Sequence, residues 1–220
     1  AKPPKGIILS KTKNNASWTH RNGDIQHSIN HPDLNKDFQV IWSSKIGAGN
    51  TRKTRITAEP IIASDMIFVM DSKSKVSGFS LDGLPIWSKS LVPSKEHAND
   101  ASGGGLAFAG GTVYAVTGFG DVFSLNSKTG TLNWKRRLGS PITAAPSVDK
   151  KFIYLVTRDN SAWALNISTG SIEWFRNGSP SNSTIVGGAG PAVTGRLVII
   201  PSSSGELVVA LKDSGLMLWN

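Results

Sequence analysis

Asn166-Ile167-Ser168-Thr169-Gly170-Ser171-Ile172-Glu173-Trp174 is one of four copies of a single phrase. The others are Ser80-Leu81-Asp82-Gly83-Leu84-Pro85-Ile86-Trp87, Asn126-Ser127-Lys128-Thr129-Gly130-Thr131-Leu132-Asn133-Trp134 and Lys212-Asp213-Ser214-Gly215-Leu216-Met217-Leu218-Trp219. Glycine always stands four positions before tryptophan, which pairs Gly83 with Trp87, Gly130 with Trp134, Gly170 with Trp174 and Gly215 with Trp219. Glycine permits the positive φ of a strand-to-strand turn, and the Asn, Asp, Ser and Thr before it hydrogen-bond the turn backbone. The tryptophan carries a large apolar face to bury against an adjoining unit.

Upstream of each glycine, two short apolar runs follow one another, for example Leu106-Ala107-Phe108 then Val113-Tyr114-Ala115-Val116, and Pro146-Ser147-Val148 then Ile153-Tyr154-Leu155-Val156. A third, such as Ala162-Trp163-Ala164-Leu165, leads into the glycine turn, and the run ending the phrase makes a fourth. The runs are β-branched or aromatic, and polar or glycine turns separate them, which is strand and hairpin chemistry with no helical period. Four strands in a repeat of about 40 residues describe a β-propeller blade. The fold class is therefore all-β, with blades expected at 56–91, 104–138, 142–177 and 187–220, the last truncated in its outer strand. Gly103-Gly104-Gly105, Thr143-Ala144-Ala145 and Gly187-Gly188-Ala189-Gly190, just ahead of the innermost strands, suit a crowded axis. They lead into strands, whereas a phosphate-binding glycine loop opens a helix.

Ahead of the first blade, an opening segment spans 18–55. Within it, 38–45 with Trp42 reads as an orphan outer strand, without inner strands before it. Four blades and an unmatched strand do not close a ring by simple strand exchange, and open edges invite pairing. The expectation is part of a larger propeller, or two associated copies.

Composition narrows the chemistry. A hydrophobic content of 39% with 18% charged residues describes a folded chain. The absence of cysteine excludes disulfides, thiolate metal sites and cysteine nucleophiles. The formal charge of +9 admits an acidic partner, but the basic residues are scattered along the sequence with no basic helix or aromatic-studded strand, so nucleic acid is not assigned as a partner. No Gly-x-Ser-x-Gly elbow supports a hydrolase. His20, His27 and His31, with Asp24 and Asp33 nearby, are metal-ligating types in a short stretch. Their spacing matches no metal motif, and packing or surface roles are the competing reading.

The phrase Ala164-Leu165-Asn166-Ile167-Ser168-Thr169-Gly170-Ser171-Ile172-Glu173-Trp174 resembles the tryptophan-docking repeat of quinoprotein-like propellers, and the resemblance spans Ile56 to Trp219. Gly187-Gly188-Ala189-Gly190-Pro191-Ala192-Val193, followed by Ser203–Leu211 and Gly215–Trp219, is most similar to the BamB family of outer-membrane assembly lipoproteins. The resemblance implies the first half of an eight-bladed ring on the periplasmic face of the outer membrane. It implies a non-catalytic scaffold without a cofactor, which binds the POTRA domains of a BamA-like barrel-assembly protein, with unfolded outer-membrane proteins as a further class of partner. Residues 1–17 would be a flexible tether from a lipid anchor. The family's partner surface falls near Ser183, Thr184, Ile185 and Val186, where two β-branched apolar residues either present themselves to a partner's sheet edge or begin a buried strand. Quinone-dependent dehydrogenases share the repeat and form the enzymatic alternative, but no clear set of inward acids is present to hold their calcium-bound quinone.

Overall fold

The computed structural model describes residues 9–34, 37, 39–179, 181, 183 and 185–219. Sixteen strands form four antiparallel sheets of four, each a simple meander. The first sheet holds β1 (Ile61–Ala63), β2 (Met66–Met70), β3 (Lys75–Ser80) and β4 (Pro85–Ser90). The second holds β5 (Gly104–Ala109), β6 (Thr112–Thr117), β7 (Asp121–Asn126) and β8 (Leu132–Arg137). The third holds β9 (Ser147–Val148), β10 (Phe152–Val156), β11 (Ala162–Asn166) and β12 (Ile172–Arg176). The fourth holds β13 (Ala192–Thr194), β14 (Leu197–Pro201), β15 (Leu207–Leu211) and β16 (Met217–Trp219). These are the four blades expected from the repeat.

The hydrophobic cores lie between blades. One joins Ile61, Phe68 and Val76 of the first blade to Leu106, Val113 and Phe123 of the second. A second joins Ala107, Tyr114 and Val122 to Val148, Ile153 and Leu165, and a third joins Tyr154, Ala164 and Trp174 to Val193, Val198 and Ala210. No blade buries its two faces alone, so the array is held by nearest-neighbour contacts.

The repeated phrase makes each of those contacts in the same way. Trp42 lies over Gly83, Trp87 over Gly130, Trp134 over Gly170 and Trp174 over Gly215, always one blade forward. A Cβ on those glycines would meet the indole at 2.4, 2.5, 2.6 and 2.8 Å respectively, and all four have positive φ. Glycine is thus required twice over, by the turn and by the ring. The indole N–H of Trp87, Trp134 and Trp174 donates to the carbonyl of Ser127, Ile167 and Lys212, at 2.7, 3.1 and 2.8 Å, in each case three residues before the glycine. Each blade also has a register shift between its third and fourth strands that skips the residue just before the tryptophan, as at Asn133 between Ser124↔Trp134 and Leu125↔Leu132. A bulge re-aims a side chain; here it turns the tryptophan toward the next blade.

Two residues past the tryptophan comes another donor. Arg136 Nε donates to Gly170 O at 2.7 Å, Arg176 to Gly215 O at 3.1 Å, and Ser44 Oγ to Gly83 O. Some of the basic excess is therefore spent inside the fold. Lys212 bridges to Asp149 Oδ2 at 3.0 Å between blades, and Lys135 lies 3.0 Å from buried Asp121, off the line of a hydrogen bond, so that contact is ionic.

The orphan segment behaves differently from the expectation in one respect. Phe38 lies outside the described residues, and 39–45 carries no ladder among the described residues, since a fourth strand needs a third strand of its own blade beside it. The docking contact of Trp42 is nonetheless made. Residues 1–8 of the tether expected at 1–17, and Asn220, also lie outside the described residues; Trp219 is about half exposed.

Gly130→Ala places a methyl in the Trp87 ring at a left-handed backbone position, and should cost about 2–4 kcal/mol. Trp134→Ala should cost about 3–5 kcal/mol through the vacated interface, and Arg136→Ala about 1 kcal/mol. Urea unfolding of the three variants checks this ranking.

Candidate functional site

The blades present their inner strands to the axis, and residues 18–27 run along them as a strap. Ile62 of β1 donates to Trp18 O at 2.8 Å and accepts from Trp18 N–H at 2.7 Å. Phe108 of β5 donates to Thr19 O, and Val193 of β13 to Ile25 O, both at 2.9 Å. Val148 N–H of β9 donates to His20 Nε2 at 3.1 Å. Strand registers make these four residues equivalent, so the strap satisfies the same N–H in every blade. An inner edge that would otherwise be open is closed by the chain itself.

His20 is the one place where an imidazole replaces a backbone carbonyl. Burial pushes its pKa down to about 4, which keeps the ring neutral. Nε2 also lies 3.2 Å from Val148 O; in the tautomer whose Nε2 accepts from Val148 N–H, Nδ1 carries the proton and donates to Thr19 Oγ1 at 2.8 Å. His27 lies against Ser147 Oγ at 3.3 Å and is held low first by burial and then by the Arg21 charge. His31 Nδ1 meets Ser10 O at 2.7 Å. The three histidines hold separate contacts, and among the described residues no group of three or more His, Cys, Asp or Glu is arranged to hold a metal ion. Packing is the role the structure gives His20.

Arg21 projects from the strap to the segment ahead of β13. Its Nη1 donates to Gly187 O at 2.7 Å and to Gly188 O, while Nε pairs with Glu59 Oε1 at 3.2 Å. Gly187 N–H donates to Thr143 O at 2.7 Å. A Cβ on Gly187 would lie 3.2 Å from Thr57, and one on Gly103 would lie 3.0 Å from Val186 Cγ1. The loop of blade four therefore touches the lead-ins of blades one, two and three. Upstream, Asn160 Nδ2 donates to Ser179 O at 2.7 Å, and its Oδ1 accepts from Ser203 N–H at 3.0 Å.

On this pinned base the apolar tip stands out. Ile185 is 72% exposed and Val186 47%. Neither is in a strand, since β13 begins only at Ala192, so the buried-strand alternative is overturned and the loop placement is what the structure has. Ser183 is exposed beside them, and Thr184 lies outside the described residues. A pocket of about 210 Å³ opens beside Ile185, walled by Ala144, Val156, Ala189 and Pro201, with Arg158 among its lining residues.

Residues 72–220 match the family model described as outer membrane protein assembly factor BamB. The chain belongs to the BamB family. It is 28% identical over 222 residues to the outer membrane protein assembly factor BamB of Escherichia coli, a match that covers 97% of this chain and 56% of that protein. This chain spans about half the length of the curated relatives it matches. The crystal structure of BamB from Moraxella catarrhalis aligns with a TM-score of 0.55 at 19% identity, covering 70% of this chain and 49% of that one. A quinohemoprotein alcohol dehydrogenase from Pseudomonas putida aligns with a TM-score of 0.75 at 17% identity, covering 93% and 40%. At such identities the structural likeness shows the fold alone.

The dehydrogenase likeness can be tested on the residues present. A calcium-bound quinone needs converging acids, whereas here Glu59 is paired with Arg21, which also donates to Gly187 O. Among the described residues, no converging set of acids fits that group. The anchors Arg21, Thr143 and Asn160 escaped the sequence reading. Among them, only Arg21 gave any signal, a lone arginine inside the histidine-rich stretch.

His20 sets an expected pH dependence. Its folded pKa of about 4 lies below the unfolded value of 6.5, so the unfolded state binds the extra proton between them. Its contribution is complete above pH 6.5 and is lost as pH falls toward 4. The upper bound is about 3 kcal/mol. Urea midpoints should fall over this range, and His20→Gln should flatten the fall. Arg21→Ala should speed hydrogen exchange at Gly187 N–H about tenfold or more, through loss of the charge-assisted bonds that hold the loop.

Proposed function

We propose that this chain contributes to a non-catalytic scaffold of the outer-membrane β-barrel assembly machinery, on the periplasmic face of the outer membrane. Through Ser183, Thr184, Ile185 and Val186 it engages the POTRA domains of a BamA-like partner. Family membership supports the assembly role. The observation that carries the binding reading is local: Ile185 is 72% exposed at the tip of a loop whose base is pinned by Arg21, Thr143 and Asn160.

The physical logic favours recognition over catalysis. An exposed aliphatic pair in a Ser- and Gly-rich loop suits a sheet edge, where backbone bonds supply affinity and the two side chains supply specificity. A base held from several sides lowers the ordering cost of association. The strap and this loop, drawn together by Arg21, support that reading.

Calorimetric titration with purified tandem POTRA domains tests the reading. Ile185→Glu and Val186→Glu should each weaken binding about tenfold or more, as expected for apolar anchors at the centre of an interface. Circular dichroism and the melting temperature should not move, because neither side chain is buried. Unchanged binding in both variants would remove this loop from the interface.

A further inference from the structure

We propose that the pocket beside Ile185 receives one apolar side chain of the partner, and that Arg158 pairs with a carboxylate next to that side chain. The proposal rests on the loop reading above and specifies the partner's chemistry: a strand or loop presenting an aliphatic or aromatic residue beside an aspartate or glutamate.

The interior is apolar in effect. Ala144, Val156, Ile185, Ala189 and Pro201 supply its walls. Of the polar side chains that line it, Thr157, Asn160, Ser202 and Ser203 are already committed within the fold. Thr157 Oγ1 donates to Asp159 Oδ1 at 2.5 Å, with Ser161 O at 3.1 Å. Asn160 spends its amide on Ser179 O and its oxygen on Ser203 N–H and Oγ, at 2.7, 3.0 and 2.7 Å. An incoming polar group would therefore find few free partners inside, and an apolar one would lose nothing. At about 210 Å³ the space is below the roughly 300–1,000 Å³ of a small-molecule site and suits an anchoring side chain.

Arg158 supplies the charge. It is exposed, and no ion pair engages its guanidinium among the described residues. Its backbone is fixed, because Arg158 N–H donates to Pro141 O at 2.7 Å. A planar guanidinium on a fixed backbone matches a carboxylate in two-point fashion. The net charge of +9 favours approach of an acidic surface in the same sense. The pocket is continuous with the exposed tip, since Ile185 forms part of both.

The test titrates the full chain with the same tandem POTRA domains. Arg158→Glu should weaken binding about tenfold or more and Arg158→Lys by a smaller factor, as for a close interfacial charge pair. Ala189→Phe fills the pocket from an exposed position that the fold tolerates, and it should weaken binding to a similar extent. A carboxylate-to-lysine variant of the POTRA domains that restores binding to Arg158→Glu would identify the paired acid. If Ile185→Glu abolishes binding while Arg158→Glu and Ala189→Phe bind like wild type, the pocket proposal is overturned and the loop reading stands. If the wild-type chain does not bind the domains, both are overturned.

Discussion

A tryptophan ring lying on a glycine of the next blade is the contact on which the rest of the molecule depends. It is made at Gly83, Gly130, Gly170 and Gly215, and at each the ring fills the space a Cβ would need. Three features converge on it: at Trp87, Trp134 and Trp174 a bulge just before the ring and an indole N–H that reaches the turn behind the glycine, and after Trp42, Trp134 and Trp174 a donor two residues on that holds the glycine's carbonyl. Because the contact always points forward along the chain, each blade fixes the next. Stability then accumulates as a series of neighbour terms, with the buried cores lying in the same interfaces.

Fixing the outer strands in this way determines what happens at the axis. The inner strands arrive in register, and each turns the same N–H inward, at Ile62, Phe108, Val148 and Val193. A buried N–H without an acceptor costs about 1–3 kcal/mol. Residues 18–27 meet this demand in four places, once with an imidazole. A neutral His20 is a consequence of that geometry: a protonated ring would set N–H against N–H while burial already opposes the charge.

The architecture was legible because its signal is local and repeated. Gly130 and Trp134 sit four residues apart in a phrase that recurs at 166–174, and such a period needs no knowledge of distant contacts. The donors two residues after the tryptophan were hidden by their variety, since Ser44, Arg136 and Arg176 share a task and not a residue type. The strap was hidden for another reason. His20 meets Val148 across 128 positions, and a segment of irregular backbone has no period to read. Histidines in such a segment look like metal ligands until their neighbours are known. At the loop, composition marked Ile185 and Val186 as notable, but only the structure shows them on the surface and unattached to β13.

The strap also connects the inner strand edges to the exposed loop. Arg21 lies one residue beyond His20, so the segment that closes the inner edges also holds the carbonyls of Gly187 and Gly188. A loop built only from serine, glycine and asparagine would sample many conformations, and a partner would have to select one of them. Here the loop base is bound to the lead-ins of the other three blades and to the strap. The array of blades thus supplies a rigid frame for this loop. Disturbing the strap should therefore alter the presentation of Ile185 without touching any residue of the recognition surface itself.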